Sequence, residues 1–311
     1  MSQMSPSQIR VVDPVLTQVA RGYKNAAFVG MGLFPYVPVA VRGGKIITFG
    51  KEIFKIYATA RAPGANLQRL PIVYGSQSFA LSQDALAGAV PYEHMEDASV
   101  TPGIDLGTAA VSRVQQVIGL GLEKQHADIA RTAASYAASN KITLSGTSQW
   151  SDPASTPIAA IETGKDAVRS QTGVKPNTLV LSAAAFKSLK THASIIDRIK
   201  YTSREVATPE LLAMLFGLDR VLVGEAVYQQ NDGTIVDVWG KDAVLAYTNI
   251  SPLASATEPS YGYTYRLADY PIVEEPYADR DTRSWVYPVI DETDPVIAGA
   301  DAGYLFINAV A

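Results

Sequence analysis

The chain has 311 residues, of which 47% are hydrophobic and 18% are charged, and it contains no cysteine. The absence of cysteine excludes disulfide frameworks, thiolate metal sites and cysteine nucleophiles. A net charge of -4 argues against a dedicated nucleic-acid-binding protein, which needs a basic surface. The sequence shows no signal peptide and no apolar run near the roughly 18 residues of a membrane span, so we predict no membrane contact.

The first 42 residues predict an extended arm. A short helix is expected within residues 11–23, where Val15, Val19 and Tyr23 recur at four-residue spacing. Residues 25–41 are apolar but contain Pro35 and Pro38. Because proline lacks a backbone N–H and disfavours helix, we expect this stretch to be extended.

A long two-stranded ribbon is predicted after Gly43-Gly44. Its outgoing arm is KIITFGKEIFKIYATA, its turn is RAPGANLQ and its returning arm is RLPIVYGSQSFALSQ. Pro63-Gly64 and Asn66 are typical of a tight turn. Since an isolated two-stranded ribbon is only marginally stable in water, we expect this one to lie on a neighbouring subunit. Residues 84–95 are then expected to lead into the next helix.

A helix of about 35 residues is predicted over residues 105–140, and we call it the spine helix. Asp105 is the expected N-cap after the pair Pro102-Gly103. Apolar residues recur on one stripe of this segment, which predicts one buried face: Ala110, Val111, Val114, Val117, Ile118, Leu122 and Ile129. At 1.5 Å per residue, such a helix is on the order of 50 Å long.

The second half of the chain predicts an α/β lobe followed by a β-rich end. Trp150 lies in the loop after the spine helix, and residues 158–172 read as a helix. Residues 174–250 alternate between strand and helix patterns, and the run NTLVLS predicts a buried strand. One helix is expected to start at Ser182 and continue to about Tyr201, and another is capped by Thr208-Pro209. Strands are predicted at YGYTYRL, SWVYPVI and GYLFINAV. The fold class is therefore α+β.

The sequence offers no constellation for catalysis, cofactors or metals. The three histidines, His94, His126 and His192, have no partners at metal-ligand spacing and are interpreted as packed or surface residues. Gly30-Met31-Gly32 begins like a dinucleotide-binding loop, but the third glycine is missing and Pro35 follows. Neither a G-x-S-x-G elbow nor a P-loop is present. We therefore predict a protein that is not an enzyme.

Acidic residues cluster near the C-terminus, and two interpretations of them stay open. These residues either line solvated loops or form salt bridges across a subunit boundary: Glu274, Glu275, Asp279, Asp281, Asp291, Glu292 and Asp294. In the second case, the expected partners are basic residues of the ribbon, such as Arg61 and Arg69. The ribbon lysines are interpreted as residues that keep a strand edge soluble.

The order of parts resembles the major capsid proteins of tailed bacteriophages, which have the HK97-like fold. LFPYVPV is similar to their proline-interrupted arm, and the run from GTSQWSDPASTP to SIIDRIKY is similar to their passage from the spine helix into the axial domain. The resemblance implies an N-terminal arm (1–42), an extended loop (43–83), a peripheral domain (84–164 and 256–311) and an axial domain (165–255).

The resemblance also implies a role for particular residues and partners. It implies hexamers and pentamers that form an icosahedral shell around double-stranded DNA, assembled in the host cytoplasm and located in the virion. A separate scaffolding protein, a portal and a decoration protein are implied as partners, with weak non-specific contact with DNA. The predicted inter-subunit contacts are Lys51, Lys55, Arg61, Pro63, Asn66, Arg69, Ser203, Arg204, Gln229, Asn231, Glu274, Glu275, Asp279 and Asp281.

Two other functional classes stay open at this point. An encapsulin-type compartment shares the fold and would bind cargo peptides on its inner face. A cytosolic α/β enzyme would depend on the lobe at residues 174–250 and would need a pocket with perturbed titratable groups.

Overall fold

The structure is a computed structural model that describes residues 12–22, 25–46, 60, 78–100, 105–199, 207–249 and 260–311. Its α-helices are α1 (Pro14–Gly22), α2 (Tyr92–Val100), α3 (Leu106–Arg131), α4 (Pro157–Thr172), α5 (Ala183–Thr191), α6 (Ala193–Ile199) and α7 (Pro209–Phe216). Its strands are β1 (Tyr36–Val39), β2 (Gly43–Lys45), β3 (Ser78–Ala80), β4 (Ser82–Pro91), β5 (Lys141–Thr143), β6 (Thr178–Ser182), β7 (Arg220–Gly224), β8 (Val227–Gln229), β9 (Ile235–Asp237), β10 (Ala243–Ala246), β11 (Gly262–Leu267), β12 (Ile272–Val273), β13 (Tyr277–Asp279), β14 (Ser284–Ile297) and β15 (Gly303–Ile307). The mixture of helices and strands confirms the predicted α+β class.

The long strand β14 organises a six-stranded sheet. It pairs antiparallel with β4 along one side, and with β11, β12 and β13 along the other. Strand β1 extends the sheet by pairing parallel with β11. Helices α1 and α3 pack on one face through an apolar cluster that includes Leu16, Val111, Val114, Val273 and Val289.

Helix α3 is the predicted spine helix, and it begins as expected. Asp105 caps it by accepting hydrogen bonds from the backbone N–H groups of Gly107 (3.0 Å) and Thr108 (3.1 Å). The predicted end near residue 140 is wrong, because the helix stops at Arg131 and Thr132 adopts an extended conformation. The chain folds back so that the buried Tyr136 hydroxyl donates to the Ala130 carbonyl oxygen (2.7 Å).

A five-stranded sheet forms the core of the α/β lobe, in the order β5-β15-β10-β6-β7. Strands β6 and β10 are buried at every position, as expected for the predicted strands in this segment. Helix α4 confirms the predicted helix at residues 158–172, and α7 confirms the cap formed by Thr208 and Pro209. The sheet thus gives the lobe a continuous apolar core.

The single helix predicted from Ser182 to about Tyr201 is instead two helices within the described residues. Helix α5 ends at Thr191 because His192 has an extended backbone, and α6 begins at Ala193. The buried His192 ring contacts the Ser155 hydroxyl through Nε2 (3.1 Å) and the Ser194 hydroxyl through Nδ1 (2.7 Å). These contacts stabilise the extended backbone at His192 that separates the two helices.

The base of the predicted ribbon is a short antiparallel ladder between β2 and β3. Gly43 pairs with Ala80, Gly44 with Phe79 and Lys45 with Ser78. The returning chain continues as β4 to Pro91, beyond the predicted end of the ribbon, and α2 follows directly. Most of the ribbon lies outside the described residues.

The prolines predicted an extended chain over residues 25–41, but the arm is not extended throughout this stretch. A 3-10 turn occupies Gly30–Gly32 before β1. The physical reason is a buried carboxylate on α3, which binds two consecutive N–H groups of the arm and is described below.

Candidate functional site: the subunit-contact surfaces

Four of the acidic residues predicted to contact other subunits lie together beside β14. Glu274 donates its backbone N–H to the Pro288 carbonyl oxygen (3.0 Å), and Glu275 is exposed. Asp279 accepts from the Thr282 hydroxyl (2.7 Å) and the Asp281 backbone N–H (3.0 Å), and Asp281 is exposed. The Thr282 hydrogen bond lowers the pKa of Asp279. The Asp279 carboxylate therefore accepts the hydrogen bonds that fix the β13–β14 turn.

Gln229 and Asn231 lie on a different surface, at the turn between β8 and β9. Both are exposed, and the Gln229 side-chain amide donates to the Gly233 carbonyl oxygen (3.2 Å). Gly233 has a φ of 86°, which favours glycine. The turn therefore presents polar groups on a locally fixed backbone, well suited to a polar contact.

The remaining predicted contacts lie outside the described residues. They are Lys51, Lys55, Arg61, Pro63, Asn66, Arg69, Ser203 and Arg204. Their roles stay predictions from the sequence.

A buried carboxylate, which the sequence reading missed, joins three parts of the chain. Glu123 of α3 accepts hydrogen bonds from the arm N–H groups of Val29 (2.9 Å) and Gly30 (2.9 Å), and from Trp239 Nε1 (2.8 Å) in the lobe. Its side chain is almost fully buried, and burial raises the pKa of Glu123. Glu123 thus fixes the arm and the lobe to the spine helix.

Gly30 and His126 explain why the arm can approach α3 so closely at this junction. A Cβ atom added at Gly30 would lie 2.5 Å from His126 Nδ1. The His126 ring stacks on Phe34 with 5.1 Å between ring centroids. Thr264 donates its hydroxyl to the Phe34 carbonyl oxygen (2.9 Å), so His126 Nε2 is the donor in its 2.8 Å contact with the same hydroxyl. Because burial lowers the pKa of His126 to about 3, the imidazole is neutral near pH 7 and carries its one proton on Nε2.

The expectation that Asp291 and Glu292 lie in solvated loops or pair across a subunit boundary is wrong, because both are buried in β14 and pair within the chain. Asp291 forms a buried ion pair across the six-stranded sheet. Arg266 of β11 binds Asp291 of β14 with both guanidinium Nε (2.8 Å) and Nη2. The ring of Tyr36 lies against this guanidinium at 4.6 Å from the ring centroid. Asp84 pairs with Asp291 across the β4–β14 ladder, and burial together with the Asp291 charge raises the pKa of Asp84.

A second ion pair fastens the arm to β14. Arg42 donates to the buried Glu292 carboxylate through Nε (2.6 Å) and Nη2 (2.9 Å), although the Arg42 side chain itself is 66% exposed. The hydrogen bonds to Glu292 raise the pKa of Arg42. Since the guanidinium is largely in water, this ion pair positions the arm on β14 more than it adds to the free energy of unfolding.

A cavity of about 410 Å³ lies between α1, residues 25–31 and α3. Its lining includes Phe28, Ile118 and Leu122, together with the buried Gln115. Gln115 Nε2 has no hydrogen-bond partner among the described residues. A buried donor of this kind is usually satisfied by water.

The described residues contain no group of three or more metal-binding side chains. His94 is exposed, whereas His126 and His192 are buried and far apart in the fold. In the same part of the chain, no helix is both long and apolar enough to cross a membrane.

The fold defines the class, which is the HK97-type fold. A putative capsid protein of an Escherichia coli CFT073 prophage has the same fold, with a TM-score of 0.56 and 14% identity over 96% of this chain and 99% of the other. A phage-related protein from Bordetella bronchiseptica is more similar, with a TM-score of 0.85 and 41% identity over 97% and 99%.

Sequence comparison then identifies the family. The family described as phage major capsid protein E matches residues 135–255. The major capsid protein of Burkholderia phage BcepMu is 39% identical over 306 residues, which cover 96% of this chain and 97% of that protein. The chain belongs to the phage major capsid proteins, and the resemblance inferred from the sequence is confirmed. It is a structural protein of the virion capsid, and its copies assemble with one another.

Proposed function

We propose that the protein forms hexamers and pentamers that close into an icosahedral head shell around double-stranded phage DNA. The observation that carries this proposal is the ladder between β2 and β3, which joins the two ends of the ribbon segment to each other, while Ile46 and Phe79 at these ends pack with Tyr263 and Tyr265 of the six-stranded sheet. The two-stranded ribbon that the sequence predicts between these ends would be only marginally stable alone, so we propose that it lies on a neighbouring copy. Many modest contacts of this kind add up in a closed, symmetric assembly.

We assign four parts to the subunit on this basis. Residues 1–42 act as the arm, 43–83 as the extended loop, 84–164 with 256–311 as the peripheral domain, and 165–255 as the axial domain. The core around β14 supports a peripheral domain. The five-stranded sheet of the lobe, however, also includes β5 and β15, which lie in the segments assigned to the peripheral domain.

The exposed residues of the predicted contact surfaces are proposed to meet other copies. Glu275 and Asp281 extend from the edge of the six-stranded sheet, and Gln229 and Asn231 from the β8–β9 turn. Polar contacts at the rim of an interface determine how two subunits align and which partner is chosen more than they determine binding affinity. The eight contacts outside the described residues are proposed on the sequence alone.

The remaining partners follow from the family. We propose a scaffolding protein, a portal and a decoration protein as partners, and assembly in the host cytoplasm. With a net charge of -4, the subunit is expected to touch packaged DNA only weakly and without sequence preference. Tight, salt-sensitive binding of DNA to purified subunits would contradict this part of the proposal.

An encapsulin-type compartment is the weaker alternative, because the relatives with substantial sequence identity are phage proteins. A compartment subunit would retain a cargo peptide inside its shell, whereas a phage subunit would not need one.

Negative-stain electron microscopy of the expressed protein tests the proposed assembly. We expect closed shells, or rosettes of hexamers and pentamers, from the protein alone or together with its scaffolding partner. Deleting residues 53–73 should leave a folded subunit that cannot close shells. Monodisperse monomers from the intact protein under both conditions, or normal shells from the deletion variant, would contradict the proposal.

A further inference from the structure

The cavity between α1, residues 25–31 and α3 is lined by one face of α3. The lining residues of this helix recur at helical spacing: Gln115, Ile118, Gly119, Leu122, Glu123 and His126. Protein interiors leave few voids much larger than a water molecule, whereas a volume of about 410 Å³ lies in the range of pockets that hold small molecules. The proposed shell gives this cavity no role.

The walls of the cavity are apolar and held in place by packing. Phe28 lines it from the arm, and Ile118 and Leu122 line it from α3. The Phe28 ring packs on Gly119, where an added Cβ atom would lie 2.9 Å from Phe28 Cε2. Met31 also lines the cavity and is 41% exposed, so we place the mouth of the cavity beside Met31. A small molecule can therefore enter from solvent.

Gln115 supplies a buried amide to this cavity. The residue is only 6% exposed, and its Nε2 has no hydrogen-bond partner among the described residues. The last torsion of a glutamine side chain has a broad, roughly two-fold profile, so the amide can turn to meet a ligand. Because a buried donor without a partner is costly, a ligand that supplies an acceptor gains affinity. A second amide offers both an acceptor and a donor, and so matches both groups of Gln115.

The charged side chains that line the cavity balance one another. They are two cations, Arg21 and Arg266, and two anions, Glu123 and Asp291. Arg266 pairs with Asp291, Arg21 donates to two backbone carbonyl oxygens, and Glu123 accepts the N–H groups described above. A charged ligand would lose its water here without gaining an unpaired opposite charge. The cavity therefore favours a neutral ligand.

We propose that this cavity binds a small neutral amide. The amide group of the ligand bonds to Gln115, and its hydrocarbon part lies against Phe28, Ile118 and Leu122. Since the walls come from both the arm and α3, the site exists only in the folded subunit, and the bound ligand joins these two parts. The inference does not depend on the proposed assembly, because the whole site lies within one chain.

Isothermal titration calorimetry of free subunits with hexanamide tests the site. We expect one molecule to bind per subunit, with a dissociation constant of at most about 1 mM for a ligand of this size. Hexanoate has the same chain length but is an anion at neutral pH, so it should bind at least about tenfold more weakly. No saturable binding of hexanamide would overturn the proposal and leave a cavity filled by water.

Variants of two lining residues locate the bound probe. Gln115→Met keeps the length of the side chain but loses the amide, so hexanamide should bind at least about tenfold more weakly. Gln116→Met makes the same change at the exposed neighbouring residue and should leave the affinity unchanged. Met31→Trp adds bulk at the mouth and should weaken binding by at least about tenfold, and its partly exposed position tolerates the change.

The outcomes separate this proposal from the proposed assembly. Unchanged affinity in Gln115→Met or in Met31→Trp, or an equal loss in Gln116→Met, would overturn the amide site. If Gln115→Met does not fold, Met31→Trp and the comparison with hexanoate still decide. Each of these measurements uses free subunits, so a negative result leaves the assembly proposal unaffected.

Discussion

Strands β6 and β10 of the five-stranded sheet are buried at every position, whereas β4 of the six-stranded sheet is exposed at most of its positions. The first sheet is covered by a large hydrophobic cluster that includes Trp150, Ile161 and Phe306. The second region instead holds buried charges and a cavity. The comparison indicates that the core of the lobe is filled within one chain. The region of helix α3 and the six-stranded sheet, which we call the spine region, is instead built around junctions with the arm and, we propose, with other copies.

The core of the complete region should show the largest effect. Phe306 is fully buried, with ring centroids 5.2 Å from Trp150 and 4.8 Å from Tyr304. We expect Phe306→Ala to lower the free energy of unfolding by about 3–5 kcal/mol, because both apolar contact and a filled volume are lost. Urea denaturation of the subunit measures this. Met214→Ala, at a side chain that is 79% exposed, should change it by less than about 0.5 kcal/mol. Equal effects would contradict the distinction between core and surface.

The buried ion pair tests how the spine region is held together. We expect Arg266→Met to destabilise the subunit by about 3 kcal/mol, since Asp291 would be left buried without its partner. The double variant Arg266→Met/Asp291→Leu should recover most of that loss in the same urea assay, because no unpaired charge remains. A double variant as unstable as the single one would show that the guanidinium acts mainly by packing.

Lowering the pH should reduce the free energy of unfolding of the subunit through His126, which lies in the spine region. Burial lowers the pKa of His126 to about 3, from an ordinary value of 6.5. The unfolded chain therefore binds a proton at a pH where the folded chain does not. The associated stability is complete above about 6.5 and falls by about 1.4 kcal/mol for each pH unit below it, until the folded pKa is reached.

Urea denaturation between about pH 7 and about pH 5 measures this effect, which amounts to about 2 kcal/mol at the lower pH. His126→Gln should show a smaller fall over the same range. His94→Gln, at an exposed residue, should keep the full fall. The same acid sensitivity in both variants would show that another group is responsible.

The smallest expected effect concerns the start of the spine helix. Asp105→Ala removes the acceptor for two backbone N–H groups and should lower the free energy of unfolding by about 1 kcal/mol. Asp105→Asn retains a side-chain oxygen and should lose less. Thermal denaturation followed by circular dichroism can rank the stabilities of the natural protein and the two variants. An Asp105→Asn variant as unstable as Asp105→Ala would argue against capping.

Local patterns in the sequence predicted the elements that depend on local chemistry. Asp105 begins the spine helix and Thr208-Pro209 begins α7, because a cap acts on residues within one turn. The continuous apolar run at β6 likewise predicted a buried strand. The end of the spine helix was predicted too late, because it depends on the contact of Tyr136 with Tyr261, more than a hundred residues away.

The junctions of the spine region could not be predicted for the same reason. Glu123 is a charged residue followed by Lys124 in α3, and only the approach of Gly30 and Trp239 identifies it as buried. A signal was present, since Glu123 directly follows Leu122 on the predicted buried face. The cavity depends on how α1 and the arm approach α3, which the sequence pattern does not contain. That the ribbon lies on another copy stays a prediction from its length and turn residues, because most of it lies outside the described residues.

Hydrogen–deuterium exchange of free subunits and assembled shells compares the two regions most directly. The account predicts that the N–H groups of β6 and β10 exchange slowly in both forms. The N–H groups of residues 47–77, in the proposed extended loop of the spine region, should exchange more slowly in the shell than in the free subunit. Unchanged exchange of this loop upon assembly would contradict the claim that it lies on a neighbouring copy.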